Sequence, residues 1–208
     1  MFPVIFSLSV ALVCQFPPSD GLSVDDAVQA LKQKGGTVHG SKKLMRVRFV
    51  MLKGSQFTNE DLGYFKHFLE MEQLIIRDTA ITSEGLVAIK TLKHLKRLSL
   101  SGEKIDSQSL TYCKDLKSLE VITLADIKID PVPLKHLTGL EKLKILTIRN
   151  SAITEEGLKV IQQIPNLETL RLNDVELTGI TLNDIQAIPS LKQLFVDGEE
   201  VVLDASKQ

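Results

Sequence analysis

The segment RDTAITSEGL at residues 77–86 returns as RNSAITEEGL at residues 149–158, 72 residues later, with seven of ten positions identical. Because 72 is three times 24, a 24-residue repeat would connect the two copies through intervening units. Apolar residues recur at that spacing in two columns: Val50, Leu74, Leu98, Ile122, Leu146, Leu170 and Leu194, and Leu52, Ile76, Leu100, Leu124, Ile148, Leu172 and Val196. The chain is therefore a tandem array, and the decapeptide belongs to its architecture.

Each unit changes its hydrophobic period partway along. The two apolar columns alternate with other residues at period two, which predicts a short strand with one buried face. Farther along, apolar residues recur at every third position, as at Leu86, Ile89 and Leu92. That spacing predicts a helix or a 3₁₀ helix. Cys113 falls in this helical column, which favours a small buried residue over a reactive thiol.

The threonine of the decapeptide belongs to a column of residues that can cap helices. Its members are Thr58, Thr82, Asp106, Asp130, Thr154 and Thr178. Such side chains accept hydrogen bonds from the free amides of a helix start. Pro131 follows Asp130 at the first helical position, where proline costs least. The decapeptide is therefore predicted to be the bend from strand into helix.

Composition limits the function classes. The 208 residues are 43% hydrophobic and 25% charged, which is typical of one soluble globular domain. Lysine and arginine number 25 against 26 acidic residues, a formal net charge of −1. A general binder of nucleic acid or anionic membranes carries a clustered basic excess, so neither is predicted as a partner.

The N-terminus predicts export. Residues 2–13 form an apolar run of the length found in secretory signals, and we expect residues 1–21 to be a cleaved signal peptide. The protein would then be secreted, periplasmic or on the cell surface, without a stable membrane span. The alternative is an uncleaved tether. Lipidation at Cys14 is disfavoured, because Val13 stands where a small residue is required.

The pattern LxxLxLxxxxIT followed by EGLxxIxxL resembles the leucine-rich-repeat family, in the variety with 24-residue units and a helical convex side. The chain is also similar in style to small exported bacterial members. The resemblance implies an α/β solenoid, a right-handed horseshoe arc with a parallel sheet on its concave face. The family's usual asparagine is replaced here by Ser55, Thr79, Glu103, Ile127, Ser151 and Val175, so the turns must be closed differently.

The repeats divide the chain into segments. We expect an N-terminal helical cap at 22–46, six repeats plus a terminal strand at 47–196, and a tail at 197–208. Within the cap, residues 23–34 have an apolar stripe and a helix-capping serine. The tail is too short for another helix, so the edge of the last strand is predicted to be open.

The sequence predicts no enzyme. No catalytic group, metal site or cofactor is indicated, because the four histidines lack ligand spacing and no glycine-rich phosphate loop occurs. A binding surface on the concave strands remains, with candidate residues Arg77, Arg97, Val121, Ile145, Thr147, Arg149, Arg171 and Phe195. Arginine is enriched at binding hot spots.

Two functions stay open. One is an exported recognition module for a protein, peptide or glycan, using the concave face. The other is an assembly unit that self-associates through its C-terminal strand edge. A simpler interpretation of the arginines is that they are solvated and paired with Asp78 or Asp174.

Overall fold

The computed structural model describes residues 21–41 and 46–203, so the predicted signal segment 1–21 lies outside the described residues except for Gly21. One nine-stranded sheet runs the length of the molecule, and its strand order is the order of the chain. The strands are β1 (Thr37–Ser41), β2 (Arg46–Lys53), β3 (Gln73–Arg77), β4 (Arg97–Ser101), β5 (Val121–Ala125), β6 (Ile145–Thr154), β7 (Thr169–Thr178), β8 (Gln193–Val196) and β9 (Glu199–Val201).

The register of the sheet follows the 24-residue columns. Strands β2 to β8 are parallel, and each residue from one column pairs with the next member of the same column, as Val50 does with Leu74. Strand β1 is antiparallel to β2, and β9 is antiparallel to β8. The predicted α/β repeat solenoid is confirmed.

Short helices connect the strands on the opposite side. The α-helices are α1 (Val24–Gln33), α2 (Pro131–Leu134), α3 (Glu155–Ile161) and α4 (Leu182–Gln186). The 3₁₀ helices are Asn59–His67, Glu84–Thr91, Ser107–Cys113 and Lys135–Leu137. The three-residue apolar spacing suits the 3₁₀ geometry, in which residues i and i+3 lie above one another.

The core lies between the sheet and these helices. Both strand columns are buried along almost their whole length, Val196 being half-buried. Cys113 is fully buried among these apolar residues, and desolvation raises the pKa of its thiol to about 12. The interpretation of Cys113 as a small core residue is confirmed.

Left-handed residues end strands β2 to β5 and interrupt the pairing of β6 with β7, a feature absent from the sequence predictions. One 24-residue column has positive φ throughout: Gly54, Asp78, Gly102, Asp126, Asn150 and Asp174. Glycine, asparagine and aspartate are the residues that enter this region most readily. The turns are therefore closed by backbone conformation at this column, which we call the carboxyl rim.

The predicted capping column is correct in part. The side chains of Asp106 and Thr154 accept hydrogen bonds from helix-start amides. Asp130 occupies the cap position of α2, but its side chain makes no capping hydrogen bond. Thr178 is wrong as a cap, because β7 continues through it in pairing with β6, and Thr181 caps α4 instead.

Side chains at the helix starts also join successive repeats. Asn59 Oδ1 accepts a hydrogen bond from the Thr82 amide at 2.9 Å. Ser83 Oγ accepts from the Asp106 amide at 2.9 Å, and Ser107 Oγ accepts from the Asp130 amide at 3.0 Å. Between β6 and β7 these side-chain hydrogen bonds are replaced by backbone pairing, because residues 151–154 of β6 pair with residues 175–178 of β7.

The two ends are closed differently. The N-terminal segment 22–46 contains the predicted helix, α1, and also strand β1, which was not predicted. Lys34 Nζ of this segment lies 2.7 Å from the buried Asp61 carboxylate of the first repeat. At the other end the prediction of an open β8 edge is wrong, because β9 folds back along β8. Asp197 and Gly198 both have positive φ, as a tight type I′ hairpin requires.

Candidate functional site

Three in-register rows of side chains cover the face of the sheet that points away from the core. Their common position is between the buried column residues, since successive strand residues point to opposite faces. The rows are Phe49, Gln73, Arg97, Val121, Ile145, Thr169 and Gln193; Met51, Ile75, Ser99, Thr123, Thr147, Arg171 and Phe195; and Lys53, Arg77, Ser101, Ala125, Arg149 and Asn173. We call these residues the sheet face.

Small side chains occupy the middle of the sheet face. This floor consists of Ser99, Ser101, Thr123, Ala125 and Thr147, on β4, β5 and β6. Ser101 and Thr147 are almost fully buried, at 5% and 4% exposure. The floor is therefore lower than the long side chains around it. Residue size along each row carried this information, but Thr147 is the one floor residue among the predicted binding residues.

Four arginines surround the floor. This arginine frame consists of Arg77 on β3, Arg97 on β4, Arg149 on β6 and Arg171 on β7. Within the described ranges, none of the four has a carboxylate within 4.0 Å. The simpler interpretation required ion pairs with Asp78 or Asp174, and these pairs are not formed.

The predicted binding residues fall into neighbouring groups. Thr147, Arg171 and Phe195 are consecutive members of one row, and the Arg171 guanidinium lies 4.9 Å from the centre of the Phe195 ring. Such cation–π contact holds the arginine in place without satisfying its hydrogen-bond donors. Val121 and Ile145 are adjacent in another row and are half-buried.

Apolar side chains also cover the N-terminal part of the sheet face, a feature that the candidate set missed. Phe49, Met51 and Ile75 are half-buried there, and the His39 ring on β1 lies 5.4 Å from the Phe49 ring. Their hydrophobicity within the rows was the available signal. The pairing with β1 was not visible in the sequence.

Alternating charges border the amino ends of the strands. The residues of this amino rim are Arg48, Glu72, Lys96, Glu120, Lys144, Glu168 and Lys192. Glu168 lies 3.3 Å from Lys144 Nζ and 3.4 Å from Lys192 Nζ. The hydrogen bond from Lys144 and both positive charges lower the pKa of the Glu168 carboxyl below its ordinary value. In the described residues Glu120 has no ion pair of this kind.

In the part of the chain that the structure describes, no three His, Cys, Asp or Glu side chains converge as a metal site would require. The Asp126 carboxylate accepts hydrogen bonds from Ser101 Oγ of β4 at 3.0 Å and from Asn150 Nδ2 of β6 at 2.6 Å, so neighbouring repeats engage it. None of the helices in the described ranges has the length and apolar content needed to span a bilayer.

Comparisons with known proteins concern the fold. No family model and no curated protein matches this sequence. Internalin C2 from Listeria monocytogenes is similar in structure with 15% identity, over 72% of this chain and 80% of that chain, at a TM-score of 0.39. Internalin F from the same species is similar with 12% identity, over 89% and 66% of the two chains, at a TM-score of 0.46. The leucine-rich-repeat architecture itself rests on the 24-residue columns and the in-register parallel strands of this chain.

Proposed function

We propose that this chain is a non-enzymatic recognition module that binds another protein or a peptide through its sheet face. The observation that carries the proposal is the arginine frame, whose four members lack carboxylate partners in the described structure and surround a low floor of small side chains. A surface with long donors around a low centre suits an inserted segment of another chain.

The mixture of side chains supports a protein partner. Arginine combines planar hydrogen-bond donors with apolar stacking area, and it is enriched among residues that dominate binding energy. Val121 and Ile145 lie beside the floor and are half-buried, so they offer apolar contact area next to the guanidinium groups. Interface centres combine these two kinds of contact.

Loss of two arginines from the frame should weaken binding without unfolding the protein. We expect the double variant Arg149→Ala plus Arg171→Ala to lose at least about 1–2 kcal/mol of binding free energy, because truncation of a hot-spot arginine costs about that much. The measurement is quantitative capture of partners from the source cell's own fractions by the immobilised chain, followed by affinity titration of the recovered partner.

The control is Lys159→Ala on α3, because Lys159 is 66% exposed and lies on the opposite side of the molecule. Both variants must keep the melting curve of the parent. If Lys159→Ala weakens capture and the arginine pair does not, the sheet face is the wrong surface.

We also propose that the module acts outside the cytoplasm, since the apolar run at residues 2–13 is typical of a secretory signal. The mass of the native protein tests this: cleavage near Gly21 is expected. Retention of residues 1–21 on a membrane-bound protein would favour the tether.

A second candidate function is assembly through the C-terminal end. Strand β9 covers β8, but Leu182 on α4 is 46% exposed, whereas its equivalents in the preceding repeats are at most 4% exposed. Val202 is 88% exposed. An apolar terminal repeat of this kind can be covered by another molecule. Concentration-dependent sedimentation that Leu182→Lys abolishes would support assembly.

A further inference from the structure

The sheet face is positively charged, and this bias identifies the chemistry of its partner. Its twenty paired residues include five basic side chains, Lys53 and the four of the arginine frame, and no acidic one. The whole chain, by contrast, has a formal net charge of −1. Arginines without an intramolecular carboxylate can form charge-assisted, bidentate hydrogen bonds with carboxylates of a partner.

The spacing of two arginines is informative. Arg77 and Arg149 belong to the same row and are separated by Ser101 and Ala125, so three strand spacings, ~14 Å, lie between their backbones. In an extended chain, residues i and i+4 are also ~13–14 Å apart and point to the same side. The residue between them, i+2, would face the small side chains of the floor.

Resting on the proposed function, we propose that the sheet face binds an extended segment of a protein partner with two carboxylate side chains four residues apart. The segment crosses β3 to β6, with one carboxylate at Arg77 and the other at Arg149. A small or apolar side chain at i+2 packs over Ser101 and Ala125. Val121 and Ile145 lie on the amino side of the same strands and contact the flanking apolar residues of the partner.

The borders of the sheet face disfavour a continuous polyanion. Asp78 and Asp126 of the carboxyl rim come one residue after the row that contains Arg77 and Arg149, so they border it on one side. Glu120 of the amino rim has no cationic side-chain partner in the described chain. These carboxylates repel a nucleic acid or an acidic polysaccharide, which carries charge at every unit. A segment with only two acidic side chains meets the arginines and avoids both rims, so unfavourable contacts also contribute to selectivity.

The experiment is a selection of random 12-residue peptides, displayed on phage, against the immobilised full chain. We expect enriched sequences to contain Asp or Glu pairs at a spacing of four. In the best synthetic peptide, moving one acidic residue to a spacing of three should weaken binding at least about 10-fold by fluorescence anisotropy, because the two carboxylates then point to opposite sides. Arg77→Ala and Arg149→Ala should each weaken it about 10-fold.

Charge reversal provides the matched control. Arg77→Glu plus Arg149→Glu should abolish binding of the acidic peptide and enrich basic peptides in a repeated selection. Lys93→Glu plus Lys135→Glu changes the net charge equally at exposed positions outside the sheet face, and should leave both results unchanged.

Each other outcome overturns the inference. Enriched peptides that lack acidic pairs but lose binding in Arg171→Ala would sink the acidic-pair proposal and leave the proposed function standing. Acidic peptides that bind every sheet-face variant equally would show that the sheet face is not the binding surface, which contradicts both. A selection that enriches no peptide, or a binding site that prefers heparin oligosaccharides to the acidic peptide, also overturns the proposal.

Discussion

Asp78 shows what a single residue of the carboxyl rim must do. Its φ is +52°, and within the described structure its carboxylate makes no hydrogen bond or ion pair, so its backbone conformation can be tested almost alone. We expect Asp78→Val to lower the free energy of unfolding by about 1–2 kcal/mol, because a side chain with a branched Cβ crowds the left-handed backbone. Asp78→Asn and Asp78→Gly should be nearly neutral, since both residues adopt this conformation readily. Urea unfolding midpoints compare the three variants.

Equal unfolding midpoints for valine and glycine at position 78 would show that the positive φ is not required.

The carboxyl rim also shows why its residues were not predicted from the sequence. The column of glycine, aspartate and asparagine was present in the sequence at the 24-residue period, but these residues have no common polarity or volume. What they share is access to a backbone region, and hydrophobic periodicity cannot detect it.

At the scale of elements, the amino rim links the starts of neighbouring strands. The Glu168 carboxylate, just before β7, forms ion pairs with Lys144 and Lys192 of the two adjacent repeats. Because the pKa of Glu168 is lowered in the folded protein, its contribution to stability is present above the ordinary carboxyl value of 4.5 and is lost as the pH falls below it. We therefore expect unfolding free energies, measured from about pH 7 to about pH 3, to fall more steeply for the parent protein than for Glu168→Gln.

Glu120→Gln is the matched control for that pH series. Glu120 occupies the same column before β5, and no side-chain nitrogen of a lysine or arginine in the described chain lies within 4.0 Å of its carboxylate. Its removal should leave the pH profile close to that of the parent. A change in profile as large as that of Glu168→Gln would mean that the ion pairs do not cause the effect.

Strands and connections differed in how far the sequence predicted them. The seven parallel strands were predictable because each buries two column residues against the same core. The β8–β9 hairpin was missed, although Asp197-Gly198 is a strong turn signal. The tail is too short for a helix, but a two-residue turn and a three-residue strand need far less chain. Thr147 is the one predicted binding residue in the floor, since small residues give no periodic hydrophobic signal.

At the scale of the whole molecule, each repeat is stabilised by its neighbours. The sheet continues without interruption from β1 to β9, and one cluster of buried residues extends from α1 to β8. A repeat of this size cannot bury its apolar face alone, so damage within one unit is shared by the units on both sides. Central positions should therefore be more sensitive than terminal ones, even when the same side chain is removed.

Leu146 and Leu182 allow that comparison with one chemical change. Leu146 on β6 is fully buried, and we expect Leu146→Ala to cost about 2–5 kcal/mol, through lost burial and the cavity that remains. Leu182 on α4 is 46% exposed at the end of the array, so Leu182→Ala should cost less than about 1.5 kcal/mol. Denaturant midpoints give the two costs. Hydrogen exchange should show that Leu146→Ala weakens protection in β5 and β7 as well as in β6. Protection lost only within β6 would show that the repeats are energetically independent, and equal midpoints would show that the central column is not the principal core.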